Sequence, residues 1–262
     1  MSDDTLDLRV DDLLALLAGD RPVTGSEPDT RSEPGAVVGR GTVTGPGVGH
    51  GTGTGPGVGT GDPATAAVGR PGGHPLDSVA SWAPAATRFG AFRLVPVRPA
   101  HDLPLLTRWM NDPAVAAFWE LAGPDTVTAD HVRAQLEGDG RSVPCLGVLD
   151  STPMSYFEIY RADLDPLARA YPALPHDTGI HLLLGGVADR GRGVGTALLR
   201  AVADLVLDHR PRCTRVVAEP DIRNTPSVAA FLGAGFRYAA EIDLPDKRAA
   251  LMIRDRSLRH VL

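Results

Sequence analysis

The sequence is poor in cysteine and has no long hydrophobic run. Two cysteines, Cys145 and Cys213, occur among its 262 residues, and both lie in apolar, strand-like segments. The chain contains no CxxC pair and no secretory leader pattern, so we expect reduced thiols and a cytoplasmic protein. No run approaches the roughly 18 apolar residues of a membrane-spanning helix, so we expect no membrane partner.

An excess of positive charge is also missing. The formal net charge is −6, and residues 1–88 hold eleven acidic residues against six arginines. The remaining residues, 89–262, hold 21 acidic and 20 basic residues and are therefore nearly neutral. Binding to nucleic acid requires a basic surface that such a domain lacks. We therefore expect no nucleic-acid partner.

Glycine, in contrast, is abundant in the first third of the chain. Residues 39–61 contain 11 glycines in 23 positions, and "GPGVG" occurs twice. Such a segment buries too little apolar surface to offset the entropy of ordering it. We predict a short helix over residues 1–18, where leucines recur at helical spacing. A disordered Gly/Pro/Thr-rich linker over 19–88 and a folded domain over 89–262 follow it.

The folded part alternates between strand and helix patterns. A strand, three helices and a hairpin of two strands precede a strand–loop–helix unit. A further strand, a helix and a final antiparallel pair of strands follow. Hairpins together with strand–helix–strand crossovers require a mixed sheet. We predict an α/β fold of the α+β type, with a mixed, mostly antiparallel central sheet flanked by helices.

A glycine- and arginine-rich loop, "RGRGVGT", lies between an apolar strand and a helix. Glycines let the backbone N–H groups of such a loop approach an anion, and the helix N-terminus favours negative charge. A Walker loop requires Gly-Lys-Ser/Thr, which is absent, and a dinucleotide fingerprint requires a glycine where Thr196 stands. The acyl-CoA pattern Q/R-x-x-G-x-G/A is matched by Arg190, Gly193 and Gly195.

Six blocks in this order resemble one family across residues 89–262. They are "RWMNDPAVAAFW", "SYFEIYR", "GIHLLLG", "RGRGVGTALL", "VVAEPDIRN" and "EIDLPDKRAALM". They are similar to the GNAT acyltransferase superfamily, and more closely to its siderophore-biosynthesis branch, which acylates lysine and N6-hydroxylysine.

The resemblance implies a reaction as well as the GNAT fold. It implies acyl-CoA as co-substrate, no metal, and N-acylation of the side-chain amine or hydroxylamine of lysine, N6-hydroxylysine or a related diamine. The product would be a hydroxamate for iron chelation. An acyl carrier protein or a siderophore synthetase is the partner that such a pathway would supply.

Two polar residues lie at positions that suggest a function, one inside an apolar strand and one directly after a strand end. His181 lies in the apolar run "GIHLLLG", and a buried imidazole is costly unless it has a hydrogen-bond partner. Asp221 follows a strand end, where α/β sheets place ligands, although it could also cap the next helix. The resemblance implies that His181 binds substrate or takes part in catalysis and that Asp221 is the proton acceptor.

Further site residues follow from the resemblance and from side-chain alternation. Glu158 shares one face of its strand with Tyr156 and Tyr160, which suits the charged end of an amino acid or diamine and also suits an exposed sheet face. Phe231 occupies the place where many GNAT proteins carry a proton-donating tyrosine, so the general acid is unassigned. The predicted acceptor-binding residues are Asn111, Trp119, Tyr156, Glu158 and His181. The predicted cofactor-binding residues are Leu183, Val187, Arg190, Gly191, Arg192, Gly193, Val194, Gly195, Thr196 and Asn224.

Two other functions are compatible with the same residues. The domain could acylate a different amine, such as an aminoglycoside. It could also bind acyl-CoA without turnover, as an adaptor whose N-terminal helix recruits a synthetase. An adaptor has no need for both His181 and Asp221, so these two residues distinguish the hypotheses.

Overall fold

Residues 75–260, the part of the chain that the computed structural model describes, form an eight-stranded sheet with five α-helices. The strand order is β1-β2-β3-β4-β5-β6-β8-β7. Neighbouring strands are antiparallel except β5 and β6, which are parallel. The strands are β1 (Ala85–Thr87), β2 (Gly90–Pro96), β3 (Ser142–Leu149), β4 (Thr152–Arg161), β5 (Thr178–Leu184), β6 (Arg215–Ala218), β7 (Arg237–Asp243) and β8 (Arg248–Asp255). The α-helices are α1 (Pro99–Met110), α2 (Pro113–Trp119), α3 (Asp125–Leu136), α4 (Val194–His209) and α5 (Thr225–Gly233). The mixed, mostly antiparallel sheet predicted from the sequence is confirmed.

Helices cover both faces of the sheet, and the central strands are apolar for that reason. On β4, Phe157 and Ile159 belong to the cluster that buries α4 and α5, whereas Tyr156 belongs to the cluster that buries α1 and α3. On β5, Ile180 points to the α4 side and Leu183 to the α1 side. This alternation also places His181 on the same face as Leu183.

The folded domain begins earlier than residue 89. A 3₁₀ helix, Pro75–Ser81, precedes β1, and the buried side chains of Leu76, Val79 and Trp82 belong to the same core cluster as α4. The ring of Trp82 stacks on His209, at the end of α4, with 5.1 Å between ring centroids. The predicted linker therefore extends too far at its C-terminal end, because three apolar side chains in a polar-looking segment reach the core. The short helix predicted over 1–18 and the linker residues before 75 lie outside the described residues.

The two parallel strands separate soon after they pair. Thr178 pairs with Val216 and Gly179 with Val217, but β5 continues to Leu184 while β6 ends at Ala218. His181 lies just beyond the last paired position. A cleft opens between the free part of β5 and the chain that leaves β6.

Candidate functional site

The cleft between β5 and β6 has a volume of about 350 Å³. His181 of β5 and Glu158 of β4 form part of its floor, and Glu219 and Asp221 line it from the segment after β6. Other walls come from Trp119 at the end of α2, Phe231 of α5, and the turn between β7 and β8. Polar side chains from five separate stretches of sequence therefore converge on one space.

His181 lies between two carboxylates. Its Nδ1 is 2.9 Å from Oε2 of Glu158, and its Nε2 is 2.5 Å from Oε1 of Glu219. An ionised carboxylate only accepts hydrogen bonds, so each ring nitrogen must donate, and the ring must carry both protons. Burial lowers the pKa of His181, but the two carboxylates outweigh it and raise the pKa to about 10. The geometry therefore holds His181 as a cation at neutral pH.

Glu158 is almost completely buried, and its carboxylate accepts hydrogen bonds from four side chains. Besides His181, His131 and Gln135 of α3 contact its Oε1 at 2.5 and 2.6 Å, and the Tyr156 hydroxyl donates to the same oxygen at 2.9 Å. Burial raises the pKa of Glu158, but the hydrogen bonds from the two histidines outweigh this effect and bring the pKa well below its usual value. The glutamate stays ionised inside the protein because its charge is fully solvated by these groups.

Glu219 is the second carboxylate and was not predicted from the sequence. It accepts a hydrogen bond from the Tyr160 hydroxyl at 2.7 Å, and Nζ of Lys247 lies 3.9 Å from its Oε1. Burial raises the pKa of Glu219, but the charge of His181 and these neighbours bring it down to about 2. Alternation in "VVAEPD" provides a signal, since Glu219 lies two residues before Asp221 in extended chain.

Asp221 lines the same cleft and is held by Arg223. The Asp221 carboxylate is 7% exposed, while the Arg223 side chain paired with it at 2.6 Å is 75% exposed. The backbone N–H of Arg223 also donates to Oδ1 at 2.8 Å. The hydrogen bond from the Arg223 side chain is the main reason that the pKa of Asp221 is lowered. Asp221 is therefore an ionised carboxylate that lines the same cleft as the charged His181.

The remaining predicted acceptor residues differ in position. Trp119 lines the cleft, and its ring lies edge-on to His181 at 6.1 Å. Tyr156 is fully buried, so it supports Glu158 and does not face the cleft. Asn111 is used elsewhere, because its amide bonds the backbone of Thr107 and Gly123 and so joins the end of α1 to a later loop.

The glycine-rich loop leads directly into α4. Gly191 and Gly193 have φ values of +71° and +77°, which residues other than glycine rarely adopt. Gly193 is the N-cap of this 16-residue helix and gives it no side-chain cap. The N–H groups of Val194, Gly195 and Thr196 therefore point out of the first turn, as an anion site requires.

The two arginines of the loop do different things. Arg190 turns back into the protein, where Nη1 pairs with Asp112 at 2.9 Å and Nη2 donates to the Leu184 carbonyl at 3.0 Å. It therefore fixes the loop rather than offering a free guanidinium to a phosphate. Arg192 is exposed, and its Nη1 lies 3.4 Å from the carbonyl oxygen of Ala188. Only the second arginine lies where a phosphate could reach it.

The other predicted cofactor residues lie near this loop or the cleft. Val187 is 67% exposed beside the loop, and Leu183 is buried, so only its backbone faces the open side of β5. Asn224 lines the cleft and caps α5, its Oδ1 accepting from the Ser227 N–H at 3.2 Å. Phe231 contributes an apolar ring there and no proton.

Four other residues also have defined places. Lys247 lines the cleft, whereas Arg248 is exposed and pairs with Glu241 on β7. Neither Cys145 nor Cys213 lines the cleft, and burial raises the pKa of both thiols. Within the part of the chain that the structure describes, none of the helices is long and apolar enough to cross a membrane.

Comparison of the sequence with protein families gives a match that covers most of this cleft and the glycine-rich loop. The family described as the acetyltransferase (GNAT) domain matches residues 98–244. A lysine N-acyltransferase, MbtK, of Mycobacterium sp. strain MCS is 35% identical over 160 residues, which cover 61% of this chain and 65% of the relative. The N(6)-hydroxylysine O-acetyltransferase of Escherichia coli is 36% identical over 173 residues, covering 66% of this chain and 54% of the relative. The chain thus spans less than two thirds of the length of these two relatives.

Solved structures share the architecture. An uncharacterised protein of Bacillus halodurans is 31% identical with a TM-score of 0.63, covering 69% of this chain and 94% of its own. The aminoglycoside acetyltransferase AAC(6')-Ib, solved in complex with paromomycin and acetyl-CoA, is 26% identical with a TM-score of 0.55. That match covers 63% of this chain and 94% of the other. The second structure shows that a protein of this fold accommodates acetyl-CoA together with an amine acceptor.

Proposed function

The chain belongs to the GNAT acetyltransferase family, and from this premise we propose that it is an acyl-CoA-dependent N-acyltransferase of hydroxamate siderophore biosynthesis. Its acceptor is the side-chain amine or hydroxylamine of lysine, N6-hydroxylysine or a related diamine. The observation that carries the proposal is the cleft at the separation of β5 and β6, where His181 and Asp221 face one space. The similarity to a lysine N-acyltransferase and to an N(6)-hydroxylysine O-acetyltransferase supports this class of acceptor. We place the reaction in the cytoplasm.

The donor side uses the loop and the start of α4. The N–H groups from Gly191 to Thr196 bind the pyrophosphate of the acyl-CoA, and Arg192 adds its positive charge. The pantetheine arm follows the open edge of β5, along the backbone at Leu183, towards Asn224. Arg190 orders this loop through Asp112 and is a positioning residue.

The acceptor nitrogen attacks with its lone pair and must therefore be neutral. It forms the new N–C bond to the thioester carbon, and the carbonyl electron pair moves to the oxygen. Collapse of this tetrahedral oxyanion breaks the C–S bond, and the sulfur leaves with the electron pair as CoA thiolate. The nitrogen releases its proton to Asp221, an ionised carboxylate in the cleft.

His181 has a different role from a base. Because both ring nitrogens already donate to carboxylates, the ring has no lone pair with which to accept a proton. Its positive charge instead stabilises the negative charge that develops on the thioester oxygen, together with backbone N–H groups near Leu183.

One alternative has an observation in its favour. The structure with paromomycin and acetyl-CoA shows that this fold also serves aminoglycosides. An adaptor that binds acyl-CoA without turnover is the other alternative. Each alternative predicts a result that differs from that of the proposed function in the thiol-release experiment described next.

The test is release of free thiol from acetyl-, succinyl- and longer acyl-CoA. The acceptors are lysine, N6-hydroxylysine, cadaverine, N-hydroxycadaverine and an aminoglycoside, with an acyl carrier protein thioester as an additional donor. We expect release that depends on a lysine-like acceptor. Release with the aminoglycoside alone would overturn the acceptor class, and CoA binding without release from any pair would overturn catalysis.

A further inference from the structure

A second cavity, of about 320 Å³, shares a wall with the cleft. His131, Glu158 and His181 line both spaces. The far side of this cavity is formed by the end of α3, the start of β3 and the turn that follows β4. The second cavity therefore adjoins the cleft at the residues that surround His181.

The far side of the cavity carries two opposite charges at one rim. Arg141 lies just before β3, and its Nη1 donates to the Leu164 carbonyl at 2.8 Å. This bond ties the segment before β3 to the turn after β4, where Asp165 follows Leu164 in the chain. Both Arg141 and Asp165 line the cavity.

The Asp165 carboxylate and the Arg141 guanidinium can each still form a hydrogen bond with a ligand. Oδ1 of Asp165 accepts from the Leu167 N–H at 3.0 Å, while Oδ2 has no hydrogen-bond partner among residues 75–260. Arg141 has a 3.3 Å contact from Nε to the exposed Asp139, and its Nη2 has no partner in the same part of the chain. A guanidinium recognises a carboxylate, and a carboxylate recognises an ammonium group. The pair thus matches a zwitterion.

We propose that this second cavity binds the amino-acid end of the acceptor, with Arg141 on its α-carboxylate and Asp165 on its α-ammonium group. The inference rests on the proposed function, and it narrows the acceptor from amines in general to an α-amino acid with a terminal amine or hydroxylamine. A simple diamine lacks the carboxylate, and an aminoglycoside lacks it too. Neither would use Arg141.

The experiment compares three acceptors that differ only at this end. Lysine has both groups, 6-aminohexanoate lacks the α-ammonium group, and cadaverine lacks the carboxylate. Arg141→Gln should raise KM for lysine and 6-aminohexanoate about tenfold, as loss of a charge-assisted hydrogen bond does, and should change KM for cadaverine less than threefold. Asp165→Asn keeps a side chain that can cap the following 3₁₀ helix. It should raise KM for lysine and for cadaverine, which both carry the ammonium group, and leave KM for 6-aminohexanoate unchanged.

Arg133→Gln is the matched control, because this exposed arginine on α3 pairs with Asp130 and does not line the cavity. It should leave all three KM values unchanged. Equilibrium binding of lysine to the CoA-bound protein, with and without Arg141→Gln, gives a readout that does not need turnover. Equal effects of Arg141→Gln on lysine and cadaverine, or none on either, would overturn the inference while wild-type turnover leaves the proposed function standing. Absence of wild-type turnover combined with Arg141-dependent lysine binding would overturn the function and not the cavity.

Discussion

The middle of β5 and the loop that follows this strand illustrate two ways of building a binding site. At His181, polar and charged side chains from β4, β5, α3 and the segment after β6 meet in a largely buried network. After Leu184, the loop offers backbone N–H groups at a helix N-terminus, and its charged side chains lie at the surface or bond back to the protein. The first region depends on contacts between distant residues, whereas the second depends on consecutive residues. Changes at the first should therefore alter charge and chemistry, and changes at the second should alter loop conformation and donor binding.

Replacing Asp221 should give the largest effect. Asp221→Asn removes the proton acceptor but keeps the shape of the side chain, so kcat should fall about a thousandfold, within the range for general base catalysis. The dissociation constant of CoA should stay within twofold of wild type, because the donor loop is untouched. Steady-state kinetics and CoA titration measure the two quantities. Asp243→Asn, at an exposed site on β7, is the control, and a similar loss there would contradict the assignment.

Replacing Glu158 should lower the stability of the folded protein as well as its activity. Glu158→Ala leaves the charge of His181 and the donors on His131 and Gln135 without their shared acceptor, and breaking such a buried pair costs about 3 kcal/mol. A domain of this size should then melt about 10 °C lower. Differential scanning calorimetry measures the shift. Glu137→Ala, exposed at the end of α3, should change the melting temperature by less than a fifth of that.

Replacing Gly191 should give a smaller effect on the donor side. Alanine at φ +71° costs about 1 kcal/mol from backbone strain, and the structure shows open space for the added methyl group. Gly195→Ala lies within α4 at ordinary helical geometry and should not lose stability, although it crowds the CoA approach. Chemical denaturation measures the difference between the two variants. Equal stabilities would show that the loop conformation in the structure does not need glycine at 191.

The pH dependence of stability should give the smallest effect, and it concerns the network around His181 alone. The folded pKa of His181, about 10, lies above the ordinary value of 6.5, so its stabilising contribution is complete below pH 6.5 and is lost as the pH rises towards 10. The folded pKa of Glu219, about 2, lies below 4.5, so its contribution is present above pH 4.5 and is lost towards pH 2. His181→Gln should therefore flatten the fall in melting temperature between pH 6.5 and 10. An unchanged alkaline slope would contradict a charged His181.

Much of the fold and the donor loop could be predicted because their signals are local. The strand and helix periodicities predicted the mixed sheet, and "RGRGVGT" predicted a glycine-rich turn into α4. The start of the domain was wrong, since Leu76, Val79 and Trp82 lie in a segment whose composition resembles the preceding linker. Composition describes an average, whereas three apolar residues at suitable spacing are enough to join a core.

The acceptor side was predicted less completely, because its geometry depends on distant residues. His181, Glu158 and Asp221 were singled out from polar residues in apolar strands or at a strand end. Glu219 was missed because a glutamate at a strand end is ordinary by itself and becomes informative only when His181 is found beside it. Arg190 fitted a phosphate loop by type, but Asp112, 78 residues away in sequence, holds it inside the protein.

The most direct test of the account is mass spectrometry of the acceptor after incubation with acetyl-CoA and either the wild-type protein or the His181→Ala, Asp221→Ala double variant. We expect the wild-type protein to add one acyl group to the terminal nitrogen of lysine or N6-hydroxylysine. The double variant should still bind CoA and leave the acceptor unmodified. Acylation at the same rate by the double variant would contradict the central claim that this cleft performs the transfer.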